Sequence, residues 1–166
     1  KGRSHTLFGP AGAGKSTEIQ EAIWAAQRQR VLIYHFDVER SATRKYMSRQ
    51  GIIVDDRYKL KDGSKGYYYF RPKSGDQCYR AARRLLDALP EDKDLNSPPG
   101  VMVIIDGYKA MKPEDVDDEK NPLANEARMH NRYQHLLRDS VERAGATLVA
   151  TNQVRIKGIG GFWVRE

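Results

Sequence analysis

Residues Gly9 to Ser16 read G-P-A-G-A-G-K-S and fill every constrained position of the pattern G-x-x-x-x-G-K-[ST]. A chain with this run is strongly constrained. The glycines let successive backbone N–H groups turn inward around an anion, and the loop must be fed by a strand and drained by a helix whose N-terminal dipole also faces the anion. Thr6-Leu7-Phe8 supplies a short strand before the loop, and Glu18 to Gln29 supplies a helix after it. Gly9, Pro10, Ala11, Gly12, Ala13, Gly14, Lys15, Ser16 and Thr17 are therefore expected to bind a nucleoside triphosphate. Lys15 reaches the β- and γ-phosphates in this reading, and the Ser16 hydroxyl completes a Mg²⁺ shell. The bland alternative is a Gly/Ala-rich turn that matches by chance.

The rest of the chain supports an α/β fold. Three apolar runs, Val31–Phe36, Val101–Ile105 and Ala146–Thr151, are continuous rather than alternating. That pattern suits strands buried on both faces of a parallel sheet. Helical spacing appears over Glu18–Gln29, Asp76–Leu89 and Leu123–Ala144. Alternating strands and helices predict a doubly wound, mostly parallel sheet flanked by helices. Gly51 to Arg71, polar and tyrosine-rich, reads as a strand or short hairpin inserted before the helix at Asp76. Asp92 to Gly100 reads as a surface loop.

With 166 residues the chain suits one domain. No apolar run approaches the ~18 residues of a membrane span, and K-G-R-S-H lacks a signal-peptide core, so no membrane partner is expected. A lone cysteine, Cys78, excludes an internal disulfide framework and fits a reducing compartment. The net charge of +7 favours a polyanionic partner.

Further candidate residues cluster at strand ends. Val101–Asp106 is an apolar strand ending in an acid, and Asp106 is expected to hold the Mg²⁺ shell with Ser16. Glu39 ends the strand His35–Glu39, where a carboxylate can take a proton from the water that attacks the γ-phosphate. Asp37 competes for that role, and both are otherwise solvated loop acids. Tyr46 can stack on a base or simply serve as a core or groove residue. Asn152–Lys157 follows the third strand and runs into Gly158–Gly161. Gln153 is placed to sense the γ-phosphate, and Arg155 and Lys157 to meet a phosphodiester backbone. The alternative there is a solvated basic turn.

Taken in order, F-G-P-A-G-A-G-K-S, F-D-V-E at 36–39, Tyr46, R-P-K-S-G-D-Q at 71–77, V-I-I-D-G at 103–107 and T-N-Q-V-R-I-K at 151–157 resemble the RecA/RadA recombinase family. The resemblance implies a RecA-like, ATP- and Mg²⁺-dependent core that binds single-stranded DNA, catalyses strand exchange in DNA repair and assembles into a filament or ring. It further implies the cytoplasm of a bacterial or virus-infected cell, in association with the nucleoid. Lys15, Glu39 and Gln153 become the catalytic set, with Glu39 as catalytic carboxylate, Tyr46 as adenine stacker and Gln153 as the link from ATP to a second DNA loop starting at Val154. The first DNA loop falls at Met111–Ala124, and Arg128, at the start of the next helix, joins Arg155 and Lys157 as a DNA-binding residue.

Three departures from the family stand out. Gly107 replaces the small hydroxyl residue that usually follows the strand-end acid. Thr43 stands where bacterial members carry an acid near the adenine. The chain begins on the phosphate-loop strand and stops at Phe162–Glu166, as expected of a trimmed or incompletely represented core. Three other classes share the loop: a hexameric helicase-type motor, a small-molecule kinase, for which Arg57–Arg71 is a basic insertion without a recognisable lid, and an ATP-binding scaffold with negligible turnover.

Overall fold

Apolar strands that no water can reach on either face must pair edge to edge and be covered by helices on both sides, and this chain does so. The computed structural model describes residues 2–92, 100–114 and 121–153 in full, and only the backbone of 156–159 and 162–165. Five strands, β1 (Arg3–Gly9), β2 (Leu32–Asp37), β3 (Tyr67–Phe70), β4 (Val101–Asp106) and β5 (Thr147–Gln153), form one all-parallel sheet in the order β1-β5-β4-β2-β3. A separate antiparallel pair joins β6 (Ile156–Ile159) to β7 (Phe162–Arg165).

Side chains alternate between the two faces. Tyr34, Phe36, Val103, Ile105, Leu148 and Ala150 point into a core shared with α3 (Gly75–Asp87) and α4 (Pro122–Arg143). Ile33, Ile104 and Val149 point the other way, against Ile19, Ile23 and Ala26 of α1 (Lys15–Arg28) and Met47 of α2 (Arg44–Arg49). Truncating a fully buried residue such as Ile104 or Ile105 to alanine would cost about 2–5 kcal/mol. The helices start where sequence offers caps. Thr43 Oγ1 accepts from Tyr46 N, Ser74 Oγ from Gln77 N, and Asn121 Oδ1 from Ala124 N, with Pro122 opening α4.

The inserted segment is both of the things expected of it. A single antiparallel bridge, Lys59–Lys65, closes a tight loop, and β3 then adds to the sheet edge beside β2. Its tyrosines are structural. Tyr58 and Tyr67 are buried, Tyr58 Oη donates to the Val31 carbonyl at 2.7 Å, and Gln27 clamps Ile53 through both its amide atoms.

Candidate functional site

The strand order brings the carboxyl ends of β1, β2, β4 and β5 to one rim, with Gly9 level with Gln153 and Asp37 level with Asp106. This is the rim at which open α/β sheets bind ligands. A cleft of about 340 Å³ opens there, lined by Ala11 to Thr17, Glu39, Asp106, Thr151 and Gln153. Residues separated by up to about 140 positions thus share one surface.

The loop leaves β1 and wraps the start of α1. Gly12 and Gly14 have φ of +76° and +83°, left-handed values that a side chain would strain, and Gly14 caps the helix without any side-chain bond. The first N–H groups of α1 therefore face the cleft, which favours negative charge there. Lys15 bends back over the loop, and its Nζ donates to the carbonyls of Gly9 at 2.9 Å and Pro10 at 2.7 Å.

Asp106 sits at the floor, 2% exposed. Thr151 Oγ1 donates to its Oδ1 at 2.6 Å, and Ser16 Oγ faces its Oδ2 at 3.5 Å. Burial raises its pKa, and the Thr151 bond, the Ser16 bond and the Lys15 charge partly offset that. Thr151 also accepts from Gly107 N at 2.7 Å, so one hydroxyl ties the end of β5 to β4 and to the residue after it. This threonine was quoted in the sequence motif but given no role. A hydroxyl closing a buried apolar strand was the available signal.

The two competing acids separate cleanly. Asp37 is fully buried and committed, since it accepts from Ser41 N, Ala42 N and, at 2.5 Å, Tyr69 Oη. Arg71 braces the same corner, donating to Tyr69 Oη and to the Ala42 carbonyl. Glu39 lies two residues past the end of β2 and lines the cleft. Desolvation and the Asp106 and Asp37 charges raise its pKa, against the lowering effect of Lys15. Between the acids and α2 the chain passes Arg40 at φ +56°, a left-handed value uncommon for a side-chain-bearing residue.

The other expected residues lie as follows. Gln153 is half-buried and lines the cleft. Tyr46 is 43% exposed on α2 and does not line it. Arg128 is exposed, but on the second turn of α4 rather than at its start. Arg155 lies outside the described residues, as does the side chain of Lys157. Of the expected first DNA loop, residues 115–120 lie outside, Met111 is buried and Pro122 to Ala124 open α4. A hydrogen bond of 2.7 Å from Tyr79 to Tyr108, with the Tyr108 ring stacked on His130, fastens the segment after Asp106 to α3 and α4.

Among the described residues no cluster of three or more His, Cys, Asp or Glu side chains forms a protein-only metal cage, and no helix is long and apolar enough to cross a membrane.

No protein-family model matches the chain. Curated relatives do. The chain is 25% identical over 160 residues to Protein RecA of Aquifex pyrophilus, covering 95% of this chain and 40% of that one. It is 25% identical to Protein RecA of Streptococcus agalactiae, covering 37% of it, and 26% identical to Protein RecA of Rickettsia africae, covering 41% of it, each over 160 residues. The relationship is RecA-like and distant, and the α/β fold is consistent with a RecA-like core. The chain spans about two-fifths of the length of these relatives.

Proposed function

We propose that this chain is the ATPase core of a RecA-like recombinase, binding single-stranded DNA and hydrolysing ATP to reset the DNA-bound state. The observation that carries the reading is the convergence of Lys15, Ser16, Glu39, Asp106 and Gln153 on one cleft beneath a glycine loop that opens a helix. Triphosphate enters at the helix N-terminus, where Lys15 exchanges the Gly9 and Pro10 carbonyls for β- and γ-phosphate oxygens.

The donor set suits Mg²⁺. A hydroxyl and a carboxylate oxygen, Ser16 Oγ and Asp106 Oδ2, stand 3.5 Å apart at the phosphate end, and hard oxygen donors with room for water and phosphate ligands are what this ion takes. When bound, the ion would offset charge on the β- and γ-phosphates. Thr151 holds Asp106 in place for it.

Glu39 is the general base. Its carboxylate takes a proton from the attacking water, the water oxygen bonds to the γ-phosphorus, and the bond to the β,γ-bridging oxygen breaks to leave ADP and phosphate. The raised pKa of Glu39 brings it closer to the working pH and makes it a better proton acceptor than an ordinary carboxylate. Gln153, at the end of β5, is the residue through which loss of the γ-phosphate reaches the segment carrying Arg155 and Lys157. Self-association into a filament or ring, and a bacterial or viral cytoplasmic setting at the nucleoid, belong to the same reading.

The deciding measurement is ATP turnover by the wild-type chain and by Lys15→Ala, each with and without single-stranded DNA. The reading requires turnover that DNA stimulates and that Lys15→Ala abolishes. Wild-type turnover in Lys15→Ala would remove the ATPase assignment, and turnover indifferent to DNA would remove the recombinase one.

A further inference from the structure

Gln20 and Gln27 occupy the same buried side of α1, two turns apart, and are treated differently by the fold. Gln27 has both amide atoms bonded to the backbone of Ile53. Gln20 is 4% exposed, and its Oε1 finds no hydrogen-bond partner among the described residues. A buried acceptor left open costs about 1–3 kcal/mol, and such a group calls for a partner.

The open oxygen belongs to a small cleft of about 100 Å³ between α1 and the end of α2, lined by Thr17, Gln20, Glu21, Trp24 and Gln50. Four of these recur at helical spacing on one face of α1. Thr17 lines both this cleft and the phosphate cleft, so the two adjoin. Trp24 forms a fixed wall: the Arg28 guanidinium lies 4.7 Å from its ring centre, and Gly51 packs against the indole edge. Gln50 stands one turn beyond the exposed ring of Tyr46. The volume admits the leading edge of a planar base rather than a whole nucleoside.

We propose that this cleft reads the base of the bound nucleotide, with Gln20 Oε1 accepting a hydrogen bond from the 6-amino group of adenine. The proposal rests on the nucleotide reading above. Its chemistry selects one purine. Gln20 Oε1 and the Glu21 carboxylate both accept, so a donor edge is favoured, whereas the 6-oxo group of guanine would place acceptor against acceptor. Thr43, near Tyr46, does not compete, because its hydroxyl accepts from Tyr46 N as a helix cap.

The test is calorimetric titration of the full chain, with magnesium, using ATP, GTP and purine riboside triphosphate, which lacks the 6-amino group. Wild type should bind ATP about tenfold more tightly than the analogue, the scale of one buried hydrogen bond, and should bind GTP no better than the analogue. Gln20→Leu should bring the ATP-to-analogue ratio to about one by weakening ATP alone. If Gln20→Leu does not fold, Gln20→Met takes its place, and the wild-type comparison stands without either. A wild-type ratio near one, or a tenfold ratio that survives loss of Gln20, overturns the proposal. Equal, tight binding of ATP and the analogue would overturn it while leaving the nucleotide reading intact. Failure of wild type to bind any of the three would overturn both.

Discussion

Gly107 lies against Glu39 so closely that a β-carbon at position 107 would overlap Glu39 Cγ and sit 3.1 Å from its backbone nitrogen. The same glycine has φ +98°, and its N–H donates to Thr151 Oγ1. A hydroxyl residue after the strand-end acid is therefore excluded here by space as well as by backbone conformation. The absent side chain makes room for the acid that faces the cleft, and Thr151 supplies the hydroxyl from the neighbouring strand.

Gly107→Ala should accordingly push Glu39 out of line. The expected outcome is a loss of ATP turnover of ~10²-fold, the scale of a mispositioned general base, with nucleotide affinity within about threefold of wild type. Left-handed backbone strain should cost about 1–2 kcal/mol of stability as well. Turnover kinetics beside nucleotide titration check it. An unaltered turnover would show that Glu39 does not need the space that Gly107 leaves.

The two acids should part company by assay. Glu39→Gln should keep nucleotide binding and melting temperature while losing ~10²-fold or more in turnover. Asp37→Asn should mainly lower stability, by about 1–3 kcal/mol, because an amide nitrogen would then face the Ser41 or Ala42 N–H or the Tyr69 hydroxyl. Thermal melts and turnover on both variants suffice. If Asp37→Asn carries the catalytic loss at unchanged stability, the roles are reversed.

Acid should unfold this chain partly through His35. Burial lowers its pKa to about 4 from an ordinary 6.5, against a smaller upward pull from Asp37. Its Nδ1 meets Tyr67 Oη at 2.8 Å, and its Nε2 has no partner among the described residues. The folded state thus holds the imidazole neutral. Above pH ~6.5 that contribution to stability is complete. As pH falls from about 6.5 to 4 the unfolded chain takes up the proton first and stability is lost, by up to roughly 3 kcal/mol, with no further loss from this group below. Urea unfolding at several pH values, compared with His35→Phe, measures it. An identical pH slope in the two proteins counts against the assignment.

Coupling to DNA should run through the end of β5. Gln153→Ala is expected to leave ATP affinity nearly intact while weakening ATP-dependent binding of single-stranded DNA. Replacing Arg155 and Lys157 together should lower DNA affinity and flatten its salt dependence by up to about 1.4 units, as for two phosphate contacts on a single strand. DNA titrations over a range of salt, with and without ATP, decide the matter. Binding that ignores ATP and all three substitutions would favour the kinase or scaffold class.

Much was legible along the chain because its causes are local. The phosphate-loop pattern occupies eight consecutive residues, the buried strands announce themselves by unbroken apolar runs, and Asp106 follows its strand directly. Element boundaries moved by only a few residues, since caps such as Ser74 and Asn121 act within one turn. Four things depended on tertiary structure. Asp37 and Glu39 are two residues apart and chemically alike, and only the packing of Tyr69, Arg71 and Ala42 around one of them leaves the other to the cleft. Thr151 matters because β5 lies beside β4, a neighbour relation set by strand order and carried by no local pattern. Tyr58 and Tyr67 read as surface tyrosines in a polar insertion until β3 joins the sheet edge and encloses them. Gln20 looks like any amide on a helix, and its open oxygen exists only because the chain between α2 and β3 satisfies Gln27 and not Gln20. Periodicity and capping are short-range and leave marks in the sequence, whereas strand order, burial of individual polar atoms and the choice between like residues depend on contacts dozens of positions away.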